Sequence, residues 1–288
     1  MIRIGNLTKI FKGARVLDAL SLEIKTGSRV ALIGSNGAGK TTLIRCLLGE
    51  YAHDGEILID GRSPRTERAA VLKGVGFVPQ MPPPLKMPVG ELLRFTAQVT
   101  GADPQRIEQV AARLGLTLEP IRSRPFVKLS GGMKQKLLIA IALGRDVRLL
   151  IMDEPAANLD PPARKALFAL LAEMPDTTMI ITSHRLDEVA SLVDRVIELD
   201  GGRVALDDTV ADALDCAAVL SCRLAVVRHE DAFARAMGEW GFRDADTGPN
   251  GGLVWEGEVP GPDRLRFLGT LSRYSGLITA VNLEEPRA

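Results

Sequence analysis

The sequence predicts an α/β fold built on a mostly parallel β-sheet. The first observation is a strand pattern at residues 147–152, apolar except for Arg148, which suits a strand buried on both faces of a parallel sheet. The second is the alternation that follows, with a helical pattern at 162–174 and a strand at 177–182. The third is a glycine-rich stretch at 34–42, which lies between an apolar strand and a helix.

The N-terminal residues predict short strands joined by turns. Apolar β-type runs mark strands at 2–7, 14–17 and 20–24, and another at 55–61 closes in a glycine turn. These strands flank the glycine-rich stretch in the sequence. We therefore expect an N-terminal antiparallel β layer close to that stretch.

A proline-rich segment interrupts this pattern. It covers residues 81–88, after a strand at 74–79 and Gln80, and its prolines exclude a helix or a central strand. Helical patterns follow it at 89–100, 103–114 and 131–143. The region from about 86 to 145 is therefore predicted to be a helical insert in the α/β domain.

Two domains are predicted, an α/β domain at 1–213 and a small α+β accessory domain at 216–288. The tail has its own βαβαβ-like pattern, with strands at 220–228, 253–259 and 277–283 and helices at 230–240 and 262–274. Its aromatic residues fall on these runs, and we expect them to form the core of the small domain. They are Trp240, Phe242, Trp255, Phe267 and Tyr274.

Composition argues against several functional classes. The 36 basic residues balance the 36 acidic ones, which argues against a general nucleic-acid binder. Three cysteines give no disulfide framework, and the spacing of Cys216, Cys222 and His229 matches no zinc pattern. No signal-peptide layout opens the sequence and no apolar run approaches the ~18 residues of a spanning helix, so we expect a cytoplasmic protein that does not cross a membrane by itself.

The glycine-rich stretch predicts a phosphate-binding loop. Its glycines let the backbone wrap a polyphosphate, and the start of the following helix adds positive charge. Lys40 would neutralise the terminal phosphates and the Thr41 hydroxyl would bind Mg²⁺, which prefers oxygen ligands. The predicted nucleotide-binding residues are Gly34, Ser35, Asn36, Gly37, Ala38, Gly39, Lys40, Thr41 and Thr42. The alternative is a glycine-rich turn with an incidental lysine.

Three further stretches carry candidate site residues. Asp153 and Glu154 end the apolar strand, where Asp153 would bind Mg²⁺ and Glu154 would polarise an attacking water; in isolation they could equally be solvated acids. Residues 130–132 begin a helix. This helix start is interpreted either as a second anion-binding site or as a simple helix cap. His184 follows a strand at the edge where ligands bind in open α/β sheets, although a lone histidine there is more often structural.

The order of these stretches resembles the nucleotide-binding domain of ATP-binding-cassette (ABC) proteins, across roughly residues 1–210. The fold that this implies is a P-loop NTPase core. By the resemblance, Glu154 is the catalytic base, Gln80 senses the metal and the γ-phosphate, and His184 is the switch histidine that contacts the γ-phosphate. Phe11 occupies the position that stacks on adenine, and Val16 lies near the base.

The resemblance also implies a dimer. Ser130 and Gly132, with Gly131 between them, would bind the nucleotide held by a second subunit, and Asp160 would lie in the loop at the dimer interface. A complete site then needs two chains arranged head to tail around two ATP molecules, and a homodimer is expected.

The resemblance finally implies the ATPase subunit of an ABC transporter, with ATP and Mg²⁺ as cofactors and a separate polytopic transmembrane permease as partner. Met133 replaces the usual glutamine after the glycines, as in exporter ATPases, and the chain is similar to those serving copper delivery to nitrous oxide reductase. Phe11 replaces the commoner tyrosine, which keeps the ring and loses a hydroxyl. The alternatives are an importer ATPase, or a soluble ABC ATPase acting on ribosomes or in DNA repair. We expect no nucleic-acid partner, and a peripheral location on the inner face of the cell membrane.

Overall fold

The computed structural model describes residues 1–183, 189, 192–209, 219–245, 253–260 and 264–284. The chain divides into two compact units. The first contains Met1–His184 and Leu192–Asp208, and the second contains Arg185–Ser191 and Thr209–Ala288. The predicted domain boundary at 213–216 lies outside the described residues and stays a prediction.

The first unit contains two sheets. Its strands are β1 (Ile2–Phe11), β2 (Ala14–Ile24), β3 (Arg29–Gly34), β4 (Asp54–Ile59), β5 (Val75–Val78), β6 (Leu149–Asp153), β7 (Thr178–Thr182), β8 (Arg195–Asp200) and β9 (Arg203–Thr209). The larger sheet has the order β5-β6-β7-β3-β8-β9. The pairs β5-β6, β6-β7, β7-β3 and β3-β8 are all parallel. Every residue of β6 and β7 is buried, so that both strands lie in the interior of the unit. The predicted mostly parallel sheet is confirmed.

The smaller sheet is antiparallel, with the order β2-β1-β4, which confirms the predicted N-terminal layer. The runs predicted as separate strands at 14–17 and 20–24 form the single strand β2. A β-bulge at Ala19, which has φ 46°, shifts the pairing with β1 and lets the strand continue. Side chains of this layer pack with the central sheet in one apolar core, which includes Leu7 and Ile151.

The helices of the first unit are α1 (Lys40–Leu47), α2 (Arg68–Leu72), α3 (Val89–Thr100), α4 (Pro104–Arg113), α5 (Gly131–Leu143) and α6 (Pro161–Ala172). The three helical patterns of the predicted insert correspond to α3, α4 and α5. Helix α4 begins as the sequence indicates, because the Asp103 side chain accepts a hydrogen bond from the Gln105 N–H and Pro104 occupies the first turn. None of the helices in the described part of the chain is long and apolar enough to span a membrane.

From residue 219 onward, the described residues of the second unit form an antiparallel sheet and two helices. Its elements in chain order are β10 (Val219–Val226), α7 (Asp231–Glu239), β11 (Arg243–Ala245), β12 (Leu253–Pro260), α8 (Arg264–Ser272) and β13 (Ile278–Glu284). The sheet order is β11-β12-β10-β13, which is the split βαβ arrangement of ferredoxin-like folds. Along the chain, these elements follow the predicted βαβαβ pattern with one additional strand, β11. The prediction missed β11 because its three residues show no apolar alternation.

The aromatic residues of the second unit form its core, as predicted. Phe233 meets the rings of Trp255 and Tyr274 edge to face, at centroid distances of 5.9 and 5.3 Å. Phe267 contacts Trp240 edge to face and stacks on Phe242. Edge-to-face and offset pairs of this kind are the arrangements that aromatic rings prefer.

Candidate functional site

The glycine-rich loop joins β3 to α1, where its glycines are sterically required at two positions. Gly34 has φ 143°, and a Cβ placed there would lie 2.3 Å from the Leu199 carbonyl oxygen. Gly39 has φ 106°, and a Cβ there would lie 3.0 Å from the Val16 carbonyl oxygen. Any larger residue at either position would therefore displace the backbone around the loop. Val16 lies against the loop through its main chain.

Lys40 is the first residue of α1, and its side chain folds back over the loop. Its Nζ donates to the carbonyl oxygens of Gly34 and Ser35, at 2.6 and 3.1 Å. Burial lowers the pKa of Lys40, and the carboxylates of Glu154 and Asp153 partly offset this effect. The loop thus holds a largely buried amine close to two acidic residues, where a polyphosphate would find a cation.

Asp153 lies at the end of β6 and connects the loop to the neighbouring strand. Its Oδ2 accepts a hydrogen bond from the Thr41 hydroxyl at 3.3 Å, and its Oδ1 accepts one from the Thr182 hydroxyl at 2.7 Å. The N–H of Glu154 donates to the same Thr182 oxygen at 2.9 Å. The structure therefore brings the predicted Thr41, Asp153 and Glu154 together in one hydrogen-bond network.

Glu154 adopts a left-handed backbone conformation with φ 49°. This conformation costs a residue with a Cβ about 1–2 kcal/mol. Strained backbone of this kind clusters at functional sites.

Sequence reasoning missed Thr182, the last residue of β7. The strand at 177–182 was predicted, and its last side chain is a fully buried hydroxyl at the carboxyl edge of the sheet. That position is the signal that could have identified it, because β7 neighbours β6 in the sheet and Thr182 is paired with Asp153.

The predicted second anion site lies at the start of α5. Ser130 caps this helix, since its Oγ accepts a hydrogen bond from the Met133 N–H at 3.3 Å. Gly131 is exposed, and a Cβ on Gly132 would lie 3.2 Å from the Asn158 carbonyl oxygen. The exposed helix start can therefore face a ligand outside this chain.

Two consecutive residues of α5 tie this helix to the segment after Glu154. The Gln135 side chain is fully buried and donates to the Pro155 carbonyl oxygen at 3.2 Å. Lys136 Nζ lies 2.7 Å from an Asp160 carboxylate oxygen, and this hydrogen bond lowers the pKa of Asp160. The other Asp160 oxygen caps α6 through the Ala163 N–H, at 2.9 Å. Sequence reasoning found Asp160 but not its partner on α5.

The remaining predicted residues lie around this centre. Gln80 is exposed and follows β5, which neighbours β6, so it lies at the same sheet edge as the carboxylates. The Phe11 ring is partly exposed and meets Tyr51 edge to face at 5.2 Å, with Lys9 Nζ 4.6 Å from its centroid. The predicted His184 lies outside the described residues.

The oxygen donors at the edge of the sheet suit Mg²⁺. An Asp153 carboxylate and the Thr41 hydroxyl meet there, and Mg²⁺ is commonly bound by one or two carboxylates together with substrate phosphates. In the described residues, His, Cys, Asp and Glu side chains form no cluster of three that could hold a metal ion by themselves. Cys222 is buried in the second unit, and burial raises its pKa to about 12.

Strand, glycine loop, helix and paired carboxylates at the carboxyl edge of a parallel sheet define a P-loop nucleotide-binding protein. Comparison with known proteins narrows this class. Residues 17–157 match the family model described as ABC transporter. The chain is 34% identical over 222 residues to the Nod factor export ATP-binding protein I of Rhizobium etli, covering 74% of this chain and 70% of that protein.

A second relative is the nickel import ATP-binding protein NikO of Rhodobacter capsulatus, with 38% identity over 228 residues, 73% of this chain and 89% of that protein. Among solved structures, the dimeric structure of a bacterial ABC transporter cassette is similar with a TM-score of 0.64 and 25% identity, covering 74% of this chain and all of that chain. The chain belongs to the ABC transporter family, as an ATP-binding subunit with ATPase activity. Relatives named for export and for import both match it, so that similarity does not separate the two directions.

Proposed function

We propose that this chain hydrolyses ATP with Mg²⁺ in a head-to-tail homodimer and drives movements of a separate transmembrane partner. The observation that carries the proposal is the network of Thr41, Asp153, Thr182 and Glu154 beside the buried Lys40. Phosphoryl transfer needs positioning and electrostatic stabilisation more than covalent chemistry, and these groups supply both.

Each residue of the centre has a proposed role. Lys40 and the loop N–H groups neutralise the phosphates, and Thr41, Asp153 and Gln80 hold Mg²⁺, which adds positive charge where negative charge develops. Glu154 polarises the attacking water, since its carboxylate follows Asp153 at the end of β6. Phe11 and Val16 bind the base.

The γ-phosphate contact of His184 is proposed from the sequence resemblance alone, because this residue lies outside the described part of the chain.

A second copy of the chain completes each site in this proposal. Ser130, Gly131 and Gly132 would contact the nucleotide held by the other subunit, and Asp160 would lie in the interface. The exposed start of α5 supports this arrangement, as does the similar cassette whose structure is described as dimeric.

Glu154→Gln tests the catalytic role. The amide cannot accept a proton, so turnover is expected to fall by at least about 100-fold while ATP binding is kept. Sizing chromatography with ATP should then show a dimer, because bound ATP is no longer hydrolysed. Glu173→Gln is the matched control, since it removes only an exposed ion pair with Arg113. Phosphate release by Glu154→Gln at the wild-type rate would remove Glu154 from this role.

The membrane partner is proposed to be a polytopic permease that docks beside residues 81–88, on the inner face of the cell membrane. This segment is held in place by main-chain hydrogen bonds, from the Val127 N–H to the Leu85 oxygen at 2.9 Å and from the Phe126 N–H to the Met87 oxygen at 3.0 Å. Leu85 and Met87 are partly exposed and Met81 is 80% exposed, so that these side chains can contribute to a helix-in-groove contact.

Replacing Leu85 and Met87 with Asp should detach the partner during purification in detergent and leave basal ATPase activity. Lys86→Asp, between the two positions, is the control for adding a carboxylate to this segment. Unchanged co-purification of the partner with the double variant would contradict the docking site. Co-purified RNA or DNA in place of a membrane protein would contradict the transporter proposal.

Export is the proposed direction, because Met133 follows the glycines at the start of α5 as in exporter ATPases and because the Nod factor export protein is a relative. Import is the second candidate, and the nickel import protein is the observation that favours it. ATP-driven transport in inverted vesicles containing the chain and its partner separates the two, since an exporter accumulates substrate inside them and an importer does not.

A further inference from the structure

One hydroxyl group links the two carboxylate residues of the site. A threonine hydroxyl has a single hydrogen to donate and can accept hydrogen bonds at its oxygen. Thr182 donates its hydrogen to Asp153 Oδ1 at 2.7 Å and accepts the Glu154 N–H at 2.9 Å. The side chain is fully buried, so water cannot replace either bond.

The bond to the Glu154 N–H acts where the backbone is strained. Glu154 has φ 49°, and a residue with a Cβ persists in this conformation only where its surroundings hold it. Its N–H is fixed to Thr182 on the neighbouring strand. The direction in which the chain leaves β6 therefore depends on the last residue of β7.

The bond to Asp153 acts on the other side of the same hydroxyl. Because Oδ1 is held by Thr182, the second oxygen of this carboxylate faces the Thr41 hydroxyl. Thr182 thus fixes the carboxylate that faces the phosphate loop and the main chain of the residue that follows it.

We propose that Thr182 is a positioning residue for ATP hydrolysis, which sets the orientation of Asp153 and the backbone conformation of Glu154 together. The inference rests on the proposed roles of these two residues. The competing explanation is that the hydroxyl only satisfies buried polar groups and contributes stability, as any buried threonine would.

Thr178 provides a matched control on the same strand. It is also fully buried, and its hydroxyl also accepts a main-chain N–H, that of Gly27 at 2.9 Å. It lies four residues before Thr182, so both side chains are on the same face of β7. A Thr→Val change removes one buried hydroxyl and strands one N–H at either position, but only Thr182 contacts the carboxylate residues.

The experiment compares wild type, Thr182→Val, Thr182→Ser and Thr178→Val. Without nucleotide, both valine variants should melt at a lower temperature than wild type, and Thr182→Val should lose more, because it also loses the bond to the Asp153 carboxylate. Thr182→Val alone should lower kcat by about 10- to 100-fold with a KM within about threefold, as misplaced reacting groups do. Thr182→Ser keeps the hydroxyl and should restore most of kcat.

A second readout does not depend on turnover. The affinity for a fluorescent ATP analogue is measured in EDTA and with excess Mg²⁺. Wild type and Thr178→Val should gain affinity with Mg²⁺, and Thr182→Val should gain much less, because its Asp153 is no longer oriented. If the valine side chain prevents folding, Thr182→Ala and Thr178→Ala are compared in place of the two valine variants.

Equal kcat and equal Mg²⁺ dependence in the two valine variants would overturn the inference. A wild-type chain without ATPase activity would instead overturn the proposed function, and the Mg²⁺ dependence of binding would still decide the role of Thr182.

Discussion

The two units of the chain differ in what they bury. In the described residues, every buried polar or charged side chain belongs to the first unit: Lys40, His53, Thr96, Gln135, Asp153, Thr177, Thr178 and Thr182. The core of the second unit consists of apolar and aromatic side chains, with Phe233 and Phe267 among the most buried.

This difference indicates where function and stability reside. Burying a polar group costs free energy unless hydrogen bonds replace those to water, so such groups persist mainly where they are satisfied or used. In the first unit Lys40, Asp153 and Thr182 meet at one edge of the sheet. The second unit has a conventional apolar interior, which suits a role outside the chemistry. Substitutions in the two cores should therefore affect different measurements.

The largest expected effect is on the stability of the second unit. Phe233→Ala should cost about 3–5 kcal/mol, because it opens a cavity between Trp255 and Tyr274. The two tryptophans of the chain, Trp240 and Trp255, both lie in this unit, so that denaturation followed by tryptophan fluorescence reports on it selectively. ATP affinity should stay near the wild-type value.

The control for that substitution is Val227→Ala in the same unit, at a side chain that is 65% exposed, which should change stability much less. A large loss of ATP affinity in a folded Phe233→Ala chain would break the comparison, because the core of the second unit would then support the nucleotide site.

Lys40→Ala tests the first unit, where we expect a loss of ATP affinity and no change in the stability of the second unit. Hydrogen bonds to a charged group contribute about 1.5–3 kcal/mol, so the affinity for ATP should fall by about 10- to 150-fold. The unfolding transition of the second unit, followed by tryptophan fluorescence, should not change, since Lys40 belongs to the first unit. Lys165→Ala, an exposed lysine on α6, is the control in a fluorescent ATP titration. Unchanged affinity would remove Lys40 from the phosphate site.

The sequence alone predicted what depends on local pattern. The phosphate loop, the parallel sheet and α4 with its Asp103 cap carry signals within a few neighbouring residues. The contacts that it missed join distant segments, such as Thr182 with Asp153 and Lys136 with Asp160. No spacing rule encodes such pairs, since they depend on which strands and helices become neighbours.

Errors in the predicted strands have a similar origin. A bulge at Ala19 joins two predicted strands into β2, and tertiary pairing alone defines the short strand β11. The roles of individual site residues stay predictions.

Phe11→Ala should have a smaller effect than Lys40→Ala. Stacking of one base on an aromatic ring contributes about 1–3 kcal/mol, and we expect about a tenfold loss of ATP affinity. The Phe11 ring already meets Tyr51, so some aromatic surface remains after the change. Phe11→Tyr should bind as well as wild type. Fluorescent ATP titration that ranked Phe11→Ala below Lys40→Ala in affinity would contradict the assigned roles.

The smallest expected effect on nucleotide binding comes from removing residues 214–288. Every predicted nucleotide residue lies before residue 185, and the first unit has its own apolar core. A chain ending at residue 213 should therefore fold and bind ATP within about threefold of the full chain, because that core loses none of its members. Melting temperature and fluorescent ATP affinity are measured side by side, and the extent of ATP-dependent dimerisation and partner co-purification should fall more than affinity. A folded truncated chain that no longer binds ATP would show that the second unit contributes to the nucleotide site, and the contrast between the two cores would then not mark a division of function.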